Sequence, residues 1–159
     1  MTKVLPATTP VRQITASFDP HLWTDLEQCF SSFHWEFCFT LDAFYAGPSI
    51  DRPRSFSLQG EGLSMPWPGE RVFVALPPGT NAEPWLHKAL VESTDNGAFV
   101  VCVTVASPDA DWWTWWASKA SEIRFPLGRI KFQSSEEAPA WPVAILVFRP
   151  GLPGRTPLS

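Results

Sequence analysis

The most restrictive feature of this sequence is a strand, helix and strand in succession at its centre. Arg71-Val-Phe-Val-Ala-Leu76 is an apolar, β-favouring run; residues 81–93 place Trp85, Leu86, Ala89 and Leu90 on one side of a helix; Ala98 to Val105 is a second continuous apolar run. Runs without polar alternation belong to strands covered on both faces, and two such strands joined through a helix run parallel. The first run stops at Pro77-Pro78-Gly79, where neither proline has a donor for a central ladder, so its C-terminal edge is abrupt.

The flanking segments extend this unit into a mostly parallel sheet between helices. Asp19-Pro20 reads as an N-cap followed by proline at the first helical position, and Leu22, Trp23, Leu26, Cys29, Phe30 and Phe33 share one stripe, which predicts a helix over 19–33. A short strand over 37–42 and a long Gly/Pro-rich loop up to residue 70 follow. Beyond the second run, Ser107-Pro108 opens another helix through Lys119. Glu122–Phe125 and Arg129–Phe132 predict a hairpin about Pro126-Leu-Gly128, and Val143–Phe148 closes the sheet. Residues 1–17 read as an arm and 151–159 as a tail, leaving one domain over 18–150; with 159 residues, 45% of them hydrophobic, no second core is needed.

Composition narrows the function classes. No apolar stretch reaches the roughly 20 residues that span a bilayer, and the first 17 residues have no signal-type apolar core, which gives a cytoplasmic expectation with no membrane partner. Cys29, Cys38 and Cys102 are odd in number and irregularly spaced, and His34 with Cys38 has no second ligand pair, so neither a disulfide framework nor a metal site is expected. The net charge of −4 is uneven: residues 1–111 hold 6 Lys/Arg against 13 Asp/Glu, and residues 112–159 hold 6 against 3. A phosphate-contacting face needs local positive charge, so the split permits nucleic-acid contact through the C-terminal part, the alternative being a solvated mixed surface.

Three segments resemble the phage-type DNA N-6-adenine methyltransferase family. Phe39-Thr-Leu-Asp42-Ala43 is similar to its F-x-L-D-A/V-A segment; Glu122-Ile-Arg-Phe-Pro-Leu-Gly-Arg-Ile-Lys-Phe132 is similar to its E-I-R-F-x-x-G-R-L-K-F segment; Val143–Phe148 matches its last strand. The resemblance implies a small Rossmann-like α/β fold, a mostly parallel sheet flanked by helices with an antiparallel C-terminal hairpin. It implies an Asn/Asp-Pro-Pro-Tyr tetrapeptide where this chain has Leu76-Pro77-Pro78-Gly79. In that family a side-chain oxygen and a proline carbonyl hold the amine of a flipped-out adenine while the tyrosine stacks on the base. Leu76 accepts nothing and Gly79 stacks nothing. Asn81, Asp42 and Asp109 are the neighbouring oxygens, Asn81 being read first as a helix N-cap.

The same resemblance implies S-adenosylmethionine at the turn after the 37–42 strand, with Asp42, Ala43 and Gly47 as the candidate residues. Only one glycine is present and Pro48 removes a donor, so the expectation is no cofactor or weakly bound S-adenosylmethionine. Trp112, Trp113, Trp115 and Trp116 span about 160° on a helix where a core stripe needs about 100°. Trp112 and Trp116 are therefore assigned to the core. Trp113 and Trp115, with Arg124, Arg129 and Lys131, are the candidate partner-binding surface. Two functions follow: a catalytically inactive methyltransferase-fold protein that binds DNA or a host protein, and an active, atypical DNA adenine N-6 methyltransferase.

Overall fold

The computed structural model describes residues 15–19, 24–44, 54–55, 59–133 and 135–151. Its elements are β1 (Thr15–Asp19), α1 (Leu26–Phe37), β2 (Leu41–Asp42), β3 (Arg54–Ser55), α2 (Gln59–Ser64), β4 (Arg71–Ala75) and α3 (Ala82–Asp95). There follow β5 (Phe99–Val105), α4 (Asp111–Trp115), a 3-10 turn (Ala117–Lys119), β6 (Glu122–Pro126), β7 (Ile130–Lys131), β8 (Ala140–Trp141) and β9 (Val143–Phe148). Seven strands form one sheet in the order β1-β6-β9-β5-β4-β2-β3, and β7 with β8 makes a separate ribbon. Every pairing in the large sheet is parallel except the two made by β9.

Period-2 alternation sorts the buried side chains onto the two faces of the sheet. Val72, Val74 and Leu76, Val100 and Cys102, and Ala144, Leu146 and Phe148 join Trp85, Leu86 and Ala89 of α3 in one core. Phe73 and Ala75, Phe99, Val101 and Val103, and Val143, Ile145 and Val147 meet Cys29, Phe30, Phe33 and Phe37 of α1 in the other. Burial in so apolar a setting pushes the Cys102 thiol well above its ordinary value.

Several expectations from sequence are corrected here. The first helix does not begin at Asp19; that residue ends β1, opposite Pro126, and Asp25 is the cap, its side chain accepting the Gln28 N–H at 2.9 Å. A residue before proline prefers extended backbone, which suits Asp19 to a strand end. Residues 15–17 of the expected arm thus belong to an edge strand, while Leu22, Trp23, residues 1–14 and residues 152–159 lie outside the described residues. Phe37 ends α1 instead of opening a strand; Cys38 takes a left-handed conformation (φ 55°) and stops the helix. The loop before residue 70 holds β3 and α2.

On the C-terminal side, β6 pairs with β1 and β9, and β7 pairs with β8, so the antiparallel hairpin runs over 130–141 and not over 122–132. Gly128 (φ 75°) redirects the chain between β6 and β7 instead of folding one back on the other. β9 is internal and does not form an edge. Ser107 does not cap α4: the Ala110 N–H donates to the Ser107 carbonyl at 3.0 Å in a turn, and α4 starts at Asp111 with no side-chain cap.

One buried polar group ties α3 to the loop before β4. Glu92, 4% exposed, accepts from the Trp67 N–H (2.8 Å), the Asn96 amide (2.9 Å) and the Lys88 ammonium (2.9 Å). Burial pushes its carboxyl up, but those three bonds outweigh burial and hold it below the ordinary value. A carboxyl depressed by folding stabilises the native state above its unfolded pKa, about 4.3, and that contribution is lost as pH falls through the folded value. Glu92→Gln should cost about 1.5–3 kcal/mol at neutral pH and flatten the acid limb of the pH–stability curve; denaturant melts at pH 7 and below about pH 4 check both.

Candidate functional site

In an open α/β sheet, ligands bind outside the carboxyl ends of the parallel strands. β2 and β4 are parallel neighbours, Leu41 beside Val72 and Asp42 beside Phe73, so the segments that follow them emerge at the same end. The structure therefore brings Asp42-Ala43 and Leu76–Gly79 to one region of the sheet. After β2, the Ala43 N–H continues the ladder to the Phe73 carbonyl at 3.0 Å. Asp42 is 2% exposed and its Oδ1 accepts the Phe44 N–H at 3.3 Å. Helix α2 presses on this turn: a Cβ at Gly62 would stand 2.2 Å from the Ala43 carbonyl oxygen, so only glycine fits there. Gly47 lies outside the described residues.

The segment after β4 is a core exit followed by a tight turn. The Leu76 N–H donates to the Val103 carbonyl at 2.8 Å, and the side chain, 1% exposed, lies in the α3-side core with Val72 and Val74. The Thr80 N–H donates to the Pro77 carbonyl at 3.1 Å across a turn in which Gly79 has φ 90°, a conformation that favours glycine. Asn81 caps α3, its side-chain oxygen accepting the Glu83 N–H at 3.4 Å. Pro77 and Pro78 are half-buried and form one wall of a cleft of about 300 Å³; Phe132, Gln133, Ala138, Pro139 and Trp141 form the rest.

Sequence reasoning missed the opposite wall. Phe132 and Trp141 flank a polar loop of eight residues, an available signal, but their proximity to Pro77-Pro78 depends on the β7–β8 ribbon. The ribbon pairs Ile130 with Trp141 and Lys131 with Ala140, and the Lys131 N–H anchors it to the Thr24 carbonyl at 3.0 Å, just before α1.

Of the residues expected to form a partner surface, Arg124 and the tryptophan segment lie on opposite faces of the sheet. Trp113, with Trp112 and Trp116, is half-buried against the α3-side core, and Trp115 is 62% exposed. The Trp116 indole N–H donates to Glu83 at 3.0 Å and its ring lies 4.6 Å from that of His87. α4 ends at Trp115, so the four rings are not carried on one continuous helix. Arg124 sits on the other side of the sheet. Its guanidinium forks onto Glu36 of α1 (2.9 Å twice), reaches Glu122 at 2.6 Å and lies over the rings of Phe33 and Phe37. Glu36, then Glu122, raise its pKa further. Burial pushes the Glu122 carboxyl up, but Arg124 and Arg149 hold it below the usual range. The Lys131 ammonium is spent on the Ser135 and Glu136 carbonyls, closing the 132–139 loop, and Arg129 is exposed.

Among known protein families, the model for DNA N-6-adenine-methyltransferase (Dam) matches residues 14–143. The chain belongs to this family. Neither curated proteins nor solved structures give a match. The matched span contains both the Asp42 turn and the Leu76–Gly79 turn of this DNA adenine methyltransferase family member. Among the described residues no group of side chains is placed to hold a metal ion, and no helix is long and apolar enough to cross a membrane.

The placement of Arg124 has a direct consequence. Arg124→Ala should destabilise the fold by about 2 kcal/mol, because it leaves Glu36 and Glu122 without their shared cation, whereas Arg129→Ala should leave the melting temperature unchanged. Thermal denaturation of the two variants side by side checks this.

Proposed function

We propose that this member of the DNA N-6-adenine-methyltransferase family binds DNA without methylating it. The observation that carries the reading is Leu76: where the resemblance implies the family's amide or carboxylate acceptor, the chain has a hydrocarbon, 1% exposed and packed in the α3-side core. An exocyclic adenine amine is a poor nucleophile, its lone pair delocalised into the ring, and needs acceptors for its hydrogens as the nitrogen rehybridises. Loss of one preorganised polar partner commonly costs about 2.7–4 kcal/mol, a factor of 10²–10³ in rate. Gly79 adds to the loss by offering no ring, and Asn81 is engaged as a helix cap. The binding half of the reading is supported by family membership, whose substrate is DNA.

The described part of the cofactor turn also fits S-adenosylmethionine poorly, since the Asp42 carboxylate is turned inward onto the Phe44 N–H. Family membership favours the competing reading of an active, atypical S-adenosylmethionine-dependent enzyme, and two measurements separate them. Tritiated-methyl incorporation into unmethylated genomic DNA should stay at background, and turnover of about 1 per second or more would overturn the proposal. Leu76→Asn alone should not restore turnover, because that side chain enters the core and position 79 still lacks a ring. Millimolar S-adenosylmethionine should leave the melting temperature unmoved; a ligand at 100-fold its dissociation constant would add about 2.7 kcal/mol.

A further inference from the structure

Helix α1 holds one large ring away from the core. Its buried stripe is Cys29, Phe30, Phe33 and Phe37, and at about 100° per residue Trp35 points directly away from that stripe. The ring is 90% exposed. Beside it lies an open groove of about 560 Å³, lined by Phe30, Ser31, His34, Trp35 itself and Cys38. The wall of this groove is fixed in advance: the His34 ring stacks on Phe30 (5.3 Å) and Phe39 (6.0 Å), and the Phe39 N–H donates to His34 Nδ1 at 3.0 Å. A preformed wall lowers the ordering cost of association. The lining has no Lys, Arg, Asp or Glu, and Glu36, next along the helix, is paired with Arg124 at 2.9 Å. A phosphate-led ligand has no cation to meet here, and two copies of this acidic chain can approach through this face without like charges opposing one another.

We propose that two copies of this chain associate through α1 about a two-fold axis, the Trp35 ring of each entering the groove of the other. A two-fold contact must be self-complementary, one patch both giving and receiving. Here a projecting indole and an aromatic-lined recess lie side by side on one helix. Area sets the strength. An aromatic side chain buries about 150–250 Å², and with each recess losing a similar area the two rings and two grooves together remove about 600–1,000 Å² from water. Stable interfaces bury about 1,200–2,000 Å², so the pair is weak and reversible. Phe37 packs on Phe99 at the start of β5 (5.0 Å), so this end of α1 lies at the amino ends of the strands. Asp42 and the Leu76–Gly79 turn are at the opposite ends, and both copies keep them accessible. The inference does not depend on the DNA-binding reading.

Sedimentation velocity of the full chain over a series of concentrations tests this. The weight-average mass should rise with concentration from one chain towards two. Trp35→Gln removes the ring, and Ser31→Glu places a carboxylate in the groove of each copy; each should weaken the dimer by at least about tenfold. Both positions are exposed, so neither change disturbs a core, and melting curves confirm that the variants stay folded. Val91→Gln, which removes an exposed hydrocarbon from α3 on the other face of the sheet, should leave association unchanged. A chain that stays monomeric at about 1 mM, where even a weak contact populates the pair, would overturn the proposal. So would a dimer that persists in both α1 variants, since another surface would then hold it, or one that Val91→Gln weakens equally.

Discussion

β9 hydrogen-bonds along both of its edges, to β5 from Val143 to Phe148 and to β6 from Val147 to Ile145, and all six of its side chains are buried. Without it the sheet would divide into β1-β6 and β5-β4-β2-β3, each with an unpaired inner edge. Ala144, Leu146 and Phe148 serve the core under α3 while Val143, Ile145 and Val147 serve the core under α1, so this strand couples the two halves of the interior. Its antiparallel direction follows from the chain reaching it through the β7–β8 ribbon, which Pro142 connects at once to β9; the Pro142 carbonyl accepts the Ala106 N–H at 3.0 Å at the end of β5.

The same arrangement fixes what the strand ends offer. Because Val72 and Val74 face α3, strict alternation sends Leu76 there as well, away from the cleft that the two prolines border. The ribbon preceding β9 is carried to that cleft and closes it with Phe132 and Trp141. The Leu76–Gly79 turn after β4 thus lies beside an aromatic wall built from a segment more than fifty residues later in sequence.

Charge is distributed by the fold in a way that the count of basic residues misrepresents. The C-terminal third carries the positive excess, yet Arg124 is consumed by Glu36 and Glu122, Arg149 reaches Glu122 at 2.9 Å, and the Lys131 ammonium binds two carbonyls. These cations organise α1, β6 and the ribbon. Trp115, the most exposed ring of the tryptophan cluster, lies with α4 on the face opposite Arg124.

The sequence by itself determined the central β4-α3-β5 unit, the last strand, the cap at Asn81 and the family, because each rests on short-range signals: apolar periodicity, turn residues and side-chain caps. It misplaced the start of α1, since Asp19 and Asp25 are both plausible caps and the choice was made by β1 pairing with β6, over a hundred residues away. It joined 122–125 to 129–132, since local spacing cannot reveal that β9 claims one edge of β6 and β8 claims β7. Only the tertiary structure decided that Arg124 and the tryptophans face opposite ways and that Phe132 and Trp141 meet Pro77-Pro78. Strand order and register set those distances, and both are determined by which distant backbone groups satisfy one another in a buried sheet.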